Sequence, residues 1–181
     1  VAFGNSILVG FVATIIATTL GTMIALALVR YQFKARGSIS LLLFLPMATP
    51  EVVIGAGLAA QFLTMGVAKG LGTIILAHTM FCLSFVVVTV RARALSLDPS
   101  IEEAAMDLGA RPWKTFLLIT VPMIAPSIAA GWLLSFTLSL DDLVIASFVS
   151  GPGATTLPMV VFSSVRMGVS PEINALATLI I

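Results

Sequence analysis

From Val1 to Val29 the chain carries no Asp, Glu, Lys or Arg. So long an apolar run exceeds the roughly 17–25 residues that a helix needs to cross the hydrocarbon of a bilayer. Lipid offers backbone N–H and C=O groups no partner, so a lone crossing segment must bond within itself as a helix. That one feature restricts the fold to membrane-crossing helices. The rest of the chain agrees, with 59% hydrophobic and only 9% charged residues, against about a quarter charged in a soluble domain. A net charge of +1 gives no electrostatic case for nucleic acid. The single Cys82 can form no internal disulfide and reads as a small buried hydrophobe.

Arg30, Lys34, Arg36 and Gly37 close the first run. A second, Ser38–Met65, is interrupted by Pro46-Met-Ala-Thr-Pro50-Glu51, and Lys69-Gly70 separates it from a third span over Leu71–Val90. A polar connection over 94–121 leads to a fourth span, Val121–Val149, and Ser150-Gly-Pro-Gly153 ends it. The segment 150–171 then leads to a fifth run from about Glu172, of which Ile173–Ile181 is too short to cross. Both ends therefore read as cut, and the chain as one membrane domain over 1–181. The loops at 30–37 and 91–114 hold seven Lys and Arg against two, Lys69 and Arg166, on the other side. The basic side is cytoplasmic, which turns 150–171 outward.

The cytoplasmic loop carries the functional signal. Asp98-Pro99 and Ser100 are helix-start residues, and Ser100 with Glu103 has capping-box spacing. Ile101, Ala104, Ala105 and Leu108 form one apolar stripe, with Glu102 and Asp107 off it. Gly109 suits the C′ position, and Pro112 opens a second helix with Trp113, Phe116 and Leu117. The expectation is a helix-turn-helix lying against the membrane, its stripe free to dock in a partner groove or to rest on the lipid surface.

Glu103-Ala104-Ala105, three residues, Gly109, nine residues, then Ile119-Thr-Val-Pro122 resembles the EAA loop of ABC importer permeases, with Val121 where Leu is usual. Ser135-Phe-Thr-Leu-Ser-Leu-Asp-Asp-Leu143, Phe148-Val-Ser-Gly-Pro-Gly153 and Ser170-Pro-Glu-Ile-Asn-Ala-Leu-Ala-Thr178 are similar to the spermidine/putrescine branch, most like the second inner-membrane subunit of putrescine importers. The resemblance implies an all-α bundle of the type I importer permease class, with about five spans here and six in a full subunit of the bacterial inner membrane. It implies coupling to ATPases through Glu102, Glu103, Ala104, Ala105, Asp107 and Gly109. The implied partners are a second permease subunit, two cytoplasmic ATPase subunits that bind ATP and Mg, and a periplasmic polyamine-binding protein. Docking of that protein is expected on 150–171 through Thr155, Thr156 and Arg166.

Glu51, Asp141 and Asp142 are acids within apolar runs, where a carboxylate costs a few kcal/mol and normally faces protein, water or a cation. Glu51 lies about 18 Å along a helix from Ile39, beside prolines that free carbonyls. A cation pathway is one reading; a helix-start position favoured by the dipole is the other. Asp141 and Asp142, about 100° apart on a helix, cannot both face one path. His78 reads as a packing histidine, Trp132 as packing, Trp113 as an interface anchor, and Gly55 and Gly57 as sites of close helix contact.

No Gly-x-x-x-x-Gly-Lys-Ser/Thr motif is present, so ATP hydrolysis, and with it any cofactor, is expected in a partner. No catalytic or metal-ligating set is assigned. A membrane-embedded aspartyl enzyme needs acids facing each other from different helices, and these two are adjacent. Permeases for another small solute and a proton-coupled secondary transporter remain the competing readings, the latter leaving the cytoplasmic loop without a task.

Overall fold

The computed structural model describes residues 1–167, and every described element is helical. The elements are α1 (Ala2–Arg30), α2 (Arg36–Ala48), α3 (Glu51–Thr64), α4 (Leu71–Leu95), α5 (Ser100–Asp107), α6 (Pro112–Thr115), a π-helical turn (Phe116–Thr120), α7 (Val121–Asp141), α8 (Val144–Val149) and α9 (Leu157–Met167). Helices α1, α4 and the continuous stretch Pro112–Asp141 are each long and apolar enough to cross a membrane. Helix α4 is central, with 61% of its apolar window buried against 39% for α1 and 17% for the last.

Lipid tails are as apolar as leucine, so helices in a membrane associate through close packing rather than water exclusion. Small residues provide it here. A Cβ on Gly21 of α1 would come within 2.8 Å of Val86 in α4, and one on Gly10 within 3.2 Å of Phe136 in α7. Trp132 packs as expected, stacked on Phe136 at 5.5 Å and edge-on to Phe11 at 6.2 Å. Cys82 is buried, as read. Gly55 sits against Phe148 of α8, whereas among the described residues nothing lies within 4 Å of a Cβ added at Gly57.

The second span is not straight. Helices α2 and α3 meet at a bend of 111°. Pro50 causes it: the residue before a proline is driven out of the helical region, and Thr49 is extended at φ −92°, ψ 133°. Pro46, expected to share in the break, lies inside α2. The fourth span also differs from expectation. Val121–Val149 is not one helix; it stops at Asp141, and Asp142 is extended at φ −64°, ψ 119° before α8 begins. The third continues to Leu95, taking Arg91 and Arg93 into its last turns. The described residues thus hold three spans, or four with the bent pair; the fifth run, from Glu172, lies outside them.

Loop grouping by charge agrees with the packing. Arg30, at the end of α1, bonds Glu102 in α5, so 30–37 and 91–114 share one end. At the other, Asn5 donates to the carbonyls of Gly153 and Thr155 at 3.1 and 2.9 Å. Lys69 donates to the Phe148 carbonyl at 3.0 Å.

Candidate functional site: a surface helix and three acids of the apolar runs

Helix α5 begins differently from a capping box. Ser100 is inside the helix and makes no cap with its side chain; instead the Asp98 carboxylate accepts the Ser100 N–H at 2.9 Å. Once Ser100 is helical, its hydroxyl no longer occupies the position that can reach the third N–H, and Asp98 caps from outside. That bond from the Ser100 backbone, with a further one from its side chain, holds the Asp98 carboxyl below its usual range. The cap is therefore present at neutral pH and is lost only as pH falls through that lowered value.

The far end is as read. Gly109 has φ +89°, its N–H bonds Met106 O at 2.9 Å, and the Ala110 N–H bonds Ala105 O at 3.0 Å. This pair of bonds is a Schellman closure. The second helix, however, does not lie against the membrane as a separate arm. From Pro112 it runs through the π turn into α7. Pro122 explains the turn: it has no N–H to offer Leu118 and crowds that carbonyl, and the ladder widens so that Val121 N–H reaches Phe116 O.

The acids of α5 divide between two directions. The Glu102 carboxylate bonds the Arg30 guanidinium and accepts the Thr120 hydroxyl at 2.6 Å, while Arg30 also donates to Thr120 Oγ1 at 3.2 Å. One carboxylate thus fastens α5 to the end of α1 and to the π turn. Glu103, Ala104, Asp107 and Gly109 are exposed and Ala105 half-buried. The apolar stripe is uncovered, with Ile101 42% and Leu108 90% exposed, so the subunit holds α5 by one face and leaves the stripe to something else. Trp113 is exposed as well, with the Lys114 ammonium 5.7 Å from its ring.

The three acids of the apolar runs also part. Glu51 is the first residue of α3 and is exposed, as is Asp141 at the end of α7. Asp142 turns inward and is 8% exposed. Its carboxylate accepts the N–H groups of Ile145 at 3.2 Å and Ala146 at 2.8 Å, capping α8, and bonds His78 Nε2 at 3.0 Å. The other ring nitrogen, Nδ1, is hydrogen-bonded with Ser139 Oγ at 2.7 Å. As the backbone turns at Asp142, the two aspartates are not helical neighbours. Asp142 is structural and leaves the candidate pathway set; Glu51 and Asp141 remain. His78 is a packing histidine with a definite task.

In the segment after α8, Thr155 and Arg166 are exposed, Arg166 lying over the Phe162 ring at 5.3 Å. Thr156 is 3% exposed and offers no side chain to a docking protein. It is drawn in because the neighbouring Leu157 N–H is held by Ser6 at 2.8 Å. Gly151 lies directly on the 69–70 backbone, where a Cβ would come within 1.9 Å of Lys69 O. The likeness at Ser170–Thr178 lies outside the described residues.

Reading the residues alone missed Arg30 and Thr120 as partners of Glu102, and His78 with Ser139 as partners of Asp142. Arg30 carried a signal only as topogenic charge. For His78 the available signal was a carboxylate in another apolar run.

Residues 5–181 match the family described as binding-protein-dependent transport system inner membrane component. The chain is 54% identical over 187 residues to the putrescine transport system permease protein PotI of Escherichia coli strain K12, covering 99% of this chain and 66% of that protein. It is 43% identical over 177 residues to the spermidine/putrescine transport system permease protein PotC of Haemophilus influenzae, covering 98% and 69%. The chain thus spans about two thirds of the length of these relatives. Among solved structures, an amino acid ABC transporter with histidines superposes with a TM-score of 0.70 at 17% identity, over 99% of this chain and 83% of that one; this is a likeness of fold.

Proposed function

The chain belongs to the family of binding-protein-dependent transport system inner membrane components, and on that premise we propose that it is a permease subunit of an ATP-driven importer of putrescine and related polyamines. It forms half of the translocation path across the bacterial inner membrane. The observation that carries the reading is helix α5, bolted to its own subunit through Glu102 and open along Ile101, Ala104 and Leu108. A short helix with a free apolar stripe fits a groove on a partner. The partner is a cytoplasmic ATPase, which holds ATP and Mg; this chain binds no cofactor. Within the loop 94–121, Glu103, Ala104, Ala105, Asp107 and Gly109 face or shape that contact, and Glu102 passes its movement to α1 and α7.

Glu51 and Asp141 give the path its sign. Charges at the surface of the chain offset part of a polycation's lost hydration, which apolar walls cannot do. They hold substrate weakly, as a route rather than a store. The relatives' names support the same substrate class. On the outward side, segment 150–171 receives a periplasmic polyamine-binding protein through Thr155 and Arg166, and a second permease subunit completes the path.

The test is uptake of labelled putrescine into proteoliposomes holding the assembled complex. Uptake should cease when ATP is withdrawn while a proton gradient is kept; persistence would identify a proton-coupled carrier. Glu51→Gln and Asp141→Asn keep shape and remove charge, so each should slow uptake with assembly intact. Normal rates in both would remove these acids from the path.

A further inference from the structure

We propose that His78 is a positioning residue of the translocation path, fixing through Asp142 how Asp141 and Glu51 stand relative to one another. The proposal rests on the reading of those two acids as path residues. His78 reaches from α4 to two points at the end of α7. Its Nδ1 is hydrogen-bonded with Ser139 in the last turn, and its Nε2 with Asp142, the extended residue after the break. All three side chains are buried. The ring therefore holds the corner at which the chain leaves α7, and Asp141 is the residue immediately before that corner.

Glu51 is reached through α8. A six-residue helix is too short to stand alone, and α8 is pinned at both ends. At its start the Asp142 carboxylate accepts the N–H groups of Ile145 and Ala146. At its end the Thr73 hydroxyl is hydrogen-bonded with the Val149 carbonyl at 2.7 Å. Thr73 and His78 both belong to α4, so α8 is fastened to the central span at two points. Among the described residues, α3 packs chiefly on α8. The approach is close, since Gly55, whose added Cβ would come within 2.8 Å of Phe148, lies one turn after Glu51. Freeing Asp142 from His78 would loosen the start of α8, and with it the seat of the helix that Glu51 begins. Side chains that meet a substrate work only when others behind them hold them in place, and His78 does this for both acids.

The experiment uses the assembled complex in proteoliposomes. Spin labels at the exposed positions Val53 of α3 and Thr137 of α7 report the distance between those helices; Cys82 is buried and stays unlabelled. Putrescine uptake is measured per assembled complex on unlabelled protein. His78→Gln sets an amide nitrogen near the place of Nε2 and keeps the tie to Asp142, whereas His78→Asn is shorter and gives that tie up. His78→Asn should broaden the distance distribution and lower uptake roughly threefold, the strength of one hydrogen bond between membrane helices. His78→Gln should keep a single distance and near-normal uptake. Asp142→Ser, which can still cap α8 but is too short for His78, should behave as His78→Asn does. A merely structural histidine would change the amount of assembled complex and leave the distance in it single. An unchanged distance in both His78→Asn and Asp142→Ser, or equal broadening by His78→Asn and His78→Gln, overturns the proposal. Failure of the functional reading shows separately, as uptake indifferent to Glu51→Gln and Asp141→Asn, and the proposal falls with it.

Discussion

Replacing Gly109 with alanine separates two reasons for which a glycine could be needed after α5. The residue sits at φ +89°, and a Cβ added there meets nothing within 4 Å. For alanine, steric contact with the described residues therefore contributes nothing, and the cost is that of a left-handed backbone in an L-residue, about 1–2 kcal/mol. Such a cost changes the ratio of closed to open helix end by roughly five- to thirtyfold. Because it comes from the backbone, Gly109→Ala and Gly109→Leu should be nearly equal, and Gly109→Asn, which tolerates this region, should be milder. Putrescine uptake and putrescine-stimulated ATP hydrolysis would be measured on the same preparation. Alanine and leucine should lower uptake alike and leave ATP hydrolysis less dependent on substrate, with asparagine between them and glycine. If alanine behaves as glycine and only leucine abolishes uptake, the backbone reasoning is refuted, and the constraint is space at the ATPase contact.

Glu102→Ala removes two bonds to a carboxylate that is 22% exposed, opposite an arginine 33% exposed. Discounted for that exposure, the loss should be about 1 kcal/mol, seen as faster proteolysis of the 98–111 loop and weaker coupling; an unchanged loop and full coupling would show the tie to be idle. Asp142→Ala should lower thermal stability by roughly 2 kcal/mol, taking three lost bonds at roughly 0.6 each in a membrane interior, whereas Asp141→Asn should slow uptake and leave stability alone. Equal loss of stability in both would mean that Asp141 is structural too. Cross-linkers at Thr155 and Arg166 should reach the polyamine-binding protein and one at Thr156 should not; efficient capture from Thr156 would show that segment to be turned differently in the assembly.

What the amino-acid sequence determined by itself is whatever depends on local chemistry or on the solvent. Charge-free runs require helices because lipid leaves the backbone no other partner. Pro50 breaks a helix through its effect on the preceding residue, and Gly109 ends one through its freedom at positive φ. The Glu103-Ala104-Ala105 spacing marked α5, and the acids marked positions that need a reason. Tertiary structure decided which reason applied. Glu102 meets Arg30 across 72 residues and Asp142 meets His78 across 64, pairings that no periodicity encodes, because they depend on how α1, α4 and α7 set their faces together. The same packing turned Asp142 and Thr156 inward and left Glu51, Asp141 and Thr155 outside. A carboxylate in an apolar run announces that it must be compensated; only the assembled bundle shows whether a neighbouring helix has already done so.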